Sequence, residues 1–203
     1  MSGRFIALEG VDGSGKSTQA GLLADALEAA GRTVLRTREP GGTPVGELIR
    51  DVVLAAPSLS MTLLAEVHLF AASRAEHVRA VLRPALAGGA WVVSDRFVDS
   101  SLAFQGAGRG LGIDAVWELN RSAVDGCLPD LAVVIDVPGP LAAARRKPAP
   151  DRIEAEGEGF HARVAEGYRE LAGRFPERVR LVDGRGTPDE VHARVRDAVA
   201  VLA

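Results

Sequence analysis

Near the N-terminus, Gly10-Val11-Asp12-Gly13-Ser14-Gly15-Lys16-Ser17 follows the spacing G-x-x-x-x-G-K-[ST]. Glycines at these positions let consecutive backbone N–H groups turn inward around phosphate oxygens. A helix opening at Lys16 adds partial positive charge at the same place. Lys16 supplies a point charge for the β- and γ-phosphates, Ser17 a hydroxyl able to ligate Mg²⁺, and Thr18 the next hydroxyl along. The context fits: the apolar run Phe5 to Leu8 precedes the loop as a buried strand. Lys16 to Ala30 then has helical spacing, with Leu22, Leu23, Ala26 and Leu27 on one face. The chemistry implied is the binding of a nucleoside triphosphate. A GTPase would carry N-K-x-D, which Asn120-Arg121-Ser122-Ala123 is not. A motor ATPase would end an apolar strand in acidic residues, whereas here the strand ends Ser94-Asp95-Arg96.

Further along, several residues could handle a second substrate. Asp95 and Arg96 close the third strand, at the carboxyl edge where ligands of parallel sheets sit. The fork of Arg96 matches phosphate oxygens. Asp95 is read as a water-mediated Mg²⁺ contact or as an orienting partner of Arg96. Phe70 and Arg74 lie four apart and share a helix face; taken alone, they are a core ring beside a surface cation. Ser101 and Gln105 are one helical turn apart. Arg145, Arg146, Lys147 and Arg152 gather four cations against Asp151 in a polar, Pro-containing stretch, 145–159, that has the character of a lid. His68, His77, His161 and His192 show no ligand spacing and are read as surface residues.

The elements needed to position these groups alternate. Strands are expected at Phe5 to Leu8, Thr33 to Thr37, Trp91 to Ser94, Leu131 to Val137 and Val179 to Asp183. Helices are expected at Lys16 to Ala30, Pro44 to Leu54, Leu63 to Leu86 (as one or two helices), Ile113 to Val124, Phe160 to Ala172 and Pro188 to Leu202, the last capped by Thr187. A helical turn is expected over Asp99 to Gln105, followed by a glycine-rich loop, Gly106 to Gly110. The strands are continuous apolar runs without in/out alternation, which belongs to a parallel sheet covered on both faces. The fold class is three-layer α/β with five parallel strands, as one domain over 1–203.

Composition narrows the class. The chain has 203 residues, 47% apolar and 25% charged, enough for a core and too apolar for disorder. Lys plus Arg number 24 against 27 Asp plus Glu, so no basic field for duplex nucleic acid exists. The single Cys127 excludes an internal disulfide, no apolar stretch reaches membrane-spanning length, and the N-terminus lacks signal-peptide shape. A cytoplasmic protein is expected.

Seven ordered motifs carry a resemblance to the bacterial type of thymidylate kinase. They are Glu9 to Thr18, Thr37-Arg38-Glu39-Pro40-Gly41-Gly42-Thr43, Phe70 to Arg74, Asp95-Arg96-Phe97, Asp99 to Gly106, Pro129-Asp130-Leu131 and Asp151-Arg152-Ile153-Glu154. The resemblance implies a P-loop kinase fold with a short lid and Mg²⁺-dependent transfer of the γ-phosphoryl of ATP to dTMP. It implies a homodimer, with no nucleic-acid or membrane partner. It places Asp12 toward the acceptor sugar, and Arg38 and Arg96 on the acceptor phosphate. Glu39 would orient Arg38 by an ion pair. It stacks Phe70 on thymine, aims Arg74 at a base carbonyl, and sets Ser101 and Gln105 on base edges. Phe104 stands where the family usually has Tyr, so the ring stays to crowd the 2′ position without a hydroxyl. Some relatives carry an Arg inside the phosphate loop; here that place is Gly13, so the catalytic cation is expected from Arg145, Arg146 or Arg152 of the lid.

Overall fold

The computed structural model describes residues 3–55, 59–146 and 150–202. Five strands form one sheet: β1 (Arg4–Glu9), β2 (Val34–Arg38), β3 (Trp91–Asp95), β4 (Leu131–Asp136) and β5 (Val179–Asp183). Their spatial order is β2-β3-β1-β4-β5, and every pairing is parallel. The central strand is covered on both faces, with Phe5, Ile6, Ala7 and Leu8 at most 1% exposed. This explains its unbroken apolar run. The edge strands β2 and β5 expose part of their residues and include Arg36, Arg38 and Arg180. Parallel register brings Leu8, Asp95 and Arg38 level across three strands. The phosphate loop and the ends of β2 and β3 therefore meet at one carboxyl edge.

The helices are α1 (Lys16–Ala29), α2 (Pro44–Val53), α3 (Leu63–His77), α4 (Arg83–Ala87), α5 (Val98–Ser101), α6 (Ile113–Val124), α7 (Gly139–Ala144), α8 (Glu158–Arg174) and α9 (Pro188–Val199). Several of them refine or depart from the sequence expectation. The stretch from Leu63 continues to Ala87, but through a wide π turn at Val78–Leu82 that joins α3 to α4. Pro84 follows that turn; it has no N–H to give, and the widened turn lets the helix run through it. The expected loop at Gly106 is instead π helix, Leu102–Gly108, running on from α5. Glycine permits this because neighbours press close. A Cβ on Gly106 would lie 3.0 Å from Ile113 Cα in α6, and one on Gly108 would lie 2.7 Å from Val164 Cγ2 in α8. Helix α7 has no counterpart in the sequence reading, and α8 begins two residues before the expected Phe160.

The closing helix α9 buries Val191, Val195 and Val199 at fourfold spacing. It is tied to α1 by a bond from Gln19 Nε2 to the Pro188 carbonyl, 2.9 Å. Its start is a reciprocal cap: Thr187 Oγ1 accepts from Glu190 N at 3.3 Å, and Glu190 Oε2 accepts from Thr187 N at 2.7 Å. Thr187→Ala should cost about 1 kcal/mol and lower Tm by about 2–4 °C, read by thermal and urea unfolding. An unchanged urea midpoint would show that packing of the valine face alone sets this helix.

Candidate active site

The phosphate loop folds as its glycines allow, with φ of +140° at Gly10, +84° at Gly13 and +93° at Gly15. At Gly13 the reason for glycine is double. The left-handed backbone disfavours a side chain, and a Cβ there would overlap the Ala142 carbonyl oxygen of α7, which lies against the loop. Lys16 is buried, with Nζ 3.5 Å from the Val11 carbonyl and 3.4 Å from Asp12 Oδ1. Burial, reinforced by the nearby Arg96, lowers its pKa against the pull of Asp12 and Asp95. Ser17 and Thr18 are exposed. Ser14 Oγ and Asp95 Oδ1 are buried polar atoms without a protein partner.

Arg96 stands against the loop in a left-handed conformation, φ +74°, unusual for a residue with a side chain. Surrounding bonds dictate it. Its N–H donates to the Leu8 carbonyl at 2.9 Å, its own carbonyl accepts from Ser94 Oγ at 2.7 Å, and the next N–H, from Phe97, donates to Glu9 Oε1 at 2.8 Å. The guanidinium pairs with Asp12 Oδ1 through Nη2 and donates from Nη1 to the Gly10 carbonyl (3.1 Å) and Ser100 Oγ (3.0 Å). It lies 4.7 Å above the Phe104 ring. Burial would raise the pKa of Asp12, but Arg96 and Lys16 hold it down at about 2, so this carboxylate is ionised and is no proton acceptor near neutrality. Glu9 is the opposite case. Burial, with Asp99 adding repulsion, pushes it up to about 7 against the hydrogen bonds it receives. Its Oε2 accepts from Ser100 Oγ (2.6 Å) and Tyr168 OH (2.9 Å), and those two hydroxyls are 2.9 Å apart.

On the other side of the cleft the expected pairing of Arg38 with Glu39 is replaced. Arg38 pairs with Glu47 at 2.8 Å, while Glu39 is buried and pairs with Arg74 (2.8 Å) and His77 Nδ1 (3.0 Å). Glu39, just past the end of β2, is drawn into the interior by Arg74 and His77, which leaves the more exposed Arg38 at the strand end to Glu47 while both still line the cavity. Arg74 is buried too. Its Nε serves Glu39, its Nη1 serves Asn120 Oδ1, and its Nη2 serves the Phe97 carbonyl and Ser101 Oγ, both at 3.2 Å. These contacts occupy four of the five N–H groups of a guanidinium. His77 and His161 are buried rather than superficial, His77 because it completes the Glu39 pair and bonds Thr37 Oγ1 at 2.6 Å. His192 is half-buried, and only His68 is exposed.

The three lid arginines are not equivalent. Arg152 points away from the phosphate loop: Nη1 pairs with Glu66 Oε2 at 2.7 Å and Nη2 caps the Val53 carbonyl at 3.0 Å. Beside it Ile153 is buried in the core, which anchors this end of the segment. Arg145 donates to the Gly184 carbonyl at 3.3 Å. Arg146 has a buried Nε with no partner. Lys147, with Pro148 and Ala149, lies outside the described residues.

A single cavity of about 250 Å³ unites most of these groups. Asp12, Gly13, Lys16 and Ser17 of the loop line it together with Arg38, Glu39, Phe70, Arg74, Asp95, Arg96, Ser101, Phe104, Gln105, Arg145 and Arg146. Arg152 is the candidate cation that does not line it. Sequence reasoning missed Arg50, Ser100, Glu9, Tyr168 and Glu66. Arg50 lines the same wall and donates to the Pro40 carbonyl at 2.9 Å. Glu66 had a signal, since 66, 70 and 74 share one helix face; Tyr168 had none. Among the described residues no three His, Cys, Asp or Glu side chains gather as a ready metal site.

Comparison with known proteins agrees with the geometry. A family model described as thymidylate kinase matches residues 8–195. The thymidylate kinase of Rhizorhabdus wittichii is 47% identical over 206 aligned positions, covering 100% of this chain and 99% of the relative. That of Bordetella petrii is 48% identical, covering 99% and 97%. The crystal structure of thymidylate kinase from Ehrlichia chaffeensis superposes with a TM-score of 0.81 at 31% identity, covering 98% of this chain and 99% of the other.

The raised Glu9 leads to a pH dependence. A carboxyl that holds its proton more tightly when folded stabilises the fold below its ordinary value of 4.5, and that stability is lost as pH rises toward about 7. Glu9→Gln removes this titration. The stability of wild type relative to Glu9→Gln should therefore fall between about pH 4.5 and about pH 7, by at most about 1.4 kcal/mol per pH unit. Urea unfolding of both proteins across that range measures it; parallel curves would mean that Glu9 titrates no differently in the folded chain.

Proposed function

The chain belongs to the thymidylate kinase family and carries out the family's reaction, phosphorylation of dTMP by ATP to give dTDP and ADP; we propose how its own residues divide that work. The observation that carries the proposal is one cavity lined together by Lys16 and the phosphate loop and by Arg96, Arg74 and Phe70. Two phosphate-bearing ligands can meet there end to end. The nucleophile is a phosphate oxygen of dTMP, already largely deprotonated near neutrality because a phosphate monoester loses its second proton near pH 6. No general base is required, which agrees with Asp12 being locked as an anion by Arg96 and Lys16. Catalysis is then positioning plus control of negative charge.

Gly10 to Thr18 cradle the ATP phosphates, with Lys16 on the β/γ-oxygens. Arg96 and Arg38 hold the acceptor phosphate. Asp12 fixes the Arg96 fork and faces the sugar. Phe70 stacks on the base, Arg74, Ser101 and Gln105 address its edges, and the Phe104 ring crowds the 2′ position. Arg146 is the cation for the transferring group, because its Nε lines up no protein partner whereas Arg152 is spent on Glu66 and Val53. The Ser17 hydroxyl and the unpartnered Asp95 Oδ1 suit Mg²⁺, Asp95 directly or through water. Bound there, the ion would neutralise charge on the ATP phosphates. The whole chain, 1–203, acts as one kinase domain. Exposed Val45, Leu48 and Val52 on α2 and Leu64 on α3 form an apolar face that supports a homodimer. No helix among the described residues is long and apolar enough to cross a membrane. The lone Cys127, free and buried, supports a cytoplasmic location.

Arg96→Ala should raise KM for dTMP far more than KM for ATP in steady-state assays. A loss confined to ATP would place the residue on the donor side. Arg146→Ala should lower kcat by roughly 10³ with little change in either KM, whereas Arg152→Ala should chiefly lower thermal stability. Nearly full kcat in Arg146→Ala would move the catalytic charge elsewhere.

A further inference from the structure

Glu66, Phe70 and Arg74 occupy successive turns on one face of α3. The last two line the cavity. Glu66 does not, yet its carboxylate is buried at 1% exposure and fully engaged. Oε2 accepts from Arg152 Nη1 (2.7 Å) and Arg109 Nη2 (3.2 Å). Oε1 accepts from Gln105 Nε2 (2.8 Å) and Arg109 Nε (3.4 Å). Although burial opposes ionisation, Gln105, Arg152 and Arg109 outweigh it and hold this group below the usual carboxylate range. An ionised carboxylate has lone pairs and no proton, so it can only accept. The amide of Gln105 must therefore turn its NH₂ toward Glu66. Reversing the amide would set a carbonyl oxygen against a buried anion. What remains for the cavity is Gln105 Oε1, which accepts no hydrogen bond from the described residues. Its neighbour one turn back, Ser101, is held by the donor Arg74.

We propose that Glu66 is a positioning residue for base selection: it commits Gln105 to present a carbonyl acceptor to the base, so that the cavity takes a pyrimidine bearing N3–H and refuses one with a bare N3. The inference rests on the reading above that Gln105 and Arg74 address the base. A donor from Arg74 beside an acceptor from Gln105 complements the C4 carbonyl and N3–H of thymine and uracil. Cytosine offers an amino donor and a bare N3 acceptor, the reverse of both. The discrimination is thus set by a charge outside the cavity, and that same carboxylate is tied to Arg152 of the lid segment.

The test is kcat/KM of the full-length protein for dTMP, dUMP and dCMP, in wild type, Glu66→Gln and Gln105→Leu. Glu66→Gln keeps the shape but can donate, so the Gln105 amide is released to turn. The dTMP:dCMP ratio should fall by about 10-fold or more while KM for ATP is unchanged. Gln105→Leu should also collapse the ratio. If Glu66→Gln loses activity equally on all three acceptors, the residue is structural and the inference is overturned. If Gln105→Leu keeps the wild-type ratio, Gln105 does not touch the base, and it is the underlying reading that fails. Wild type with N3-methyl-dTMP gives an answer independent of variant folding: turnover about 10-fold or more below dTMP is expected, and turnover equal to dTMP would show that no acceptor faces N3.

Discussion

The site depends on holding one arginine where its charge and backbone would both prefer not to be. Arg96 sits at the carboxyl end of β3 with φ +74°, largely out of water. Such strain persists only where the surroundings over-determine it. Here β1 supplies the means: the Leu8 carbonyl and the Glu9 carboxyl fix the backbone on either side of Arg96, while Gly10 and Asp12, just beyond the same strand, fix its side chain. Strand pairing between β1 and β3 thus also brings the phosphate loop and Arg96 together. The buried cation in turn holds Asp12 ionised inside a loop built for phosphate, where a carboxylate would otherwise be a liability.

Behind this pair lies a network of protons that is satisfied in two ways. With Glu9 ionised, Ser100 and Tyr168 both donate to its Oε2; with Glu9 protonated, the acid donates into the pair of hydroxyls, which bond to each other at 2.9 Å. Either arrangement leaves Ser100 Oγ available to Arg96 Nη1. The two groups remain coupled through their charges, Arg96 opposing the rise of Glu9 and Glu9 favouring the charged Arg96. Tyr168 places a phenol hydroxyl close to Arg96 although position 104 carries Phe, and the Phe104 ring serves as the bed on which the guanidinium lies.

Buried charges elsewhere come in compensated sets: Glu39 with Arg74 and His77, Glu66 with Arg109 and Arg152, Asp99 with Arg178. Each set joins elements far apart in sequence. Charges desolvated this way are costly unless bonded, and in Arg74 a single N–H of the guanidinium is left over for the cavity. Arg152 of the lid segment belongs to the same scheme, and α7, which precedes that segment, covers Gly13 of the phosphate loop.

Local pattern alone specifies the parallel α/β architecture, because strands buried on both faces must be continuously apolar and the phosphate loop must follow the first of them. Lys16 and Arg96 were legible for the same reason, each sitting at a loop or strand end whose geometry follows from spacing, whereas Phe70 and Arg74 stood out only through the family resemblance, their spacing alone reading as a core ring beside a surface cation. The partners were not. That Glu39 takes Arg74 and leaves Arg38 to Glu47, that Arg152 turns from the phosphates to Glu66, and that Tyr168 reaches Glu9 across 159 residues of chain are outcomes of which elements pack together. Charge and spacing named the candidate cations equally. Only tertiary packing determined which of them spend their hydrogen bonds on the protein and which keep them for a ligand, because a buried charge takes whichever opposite charge the fold brings within reach.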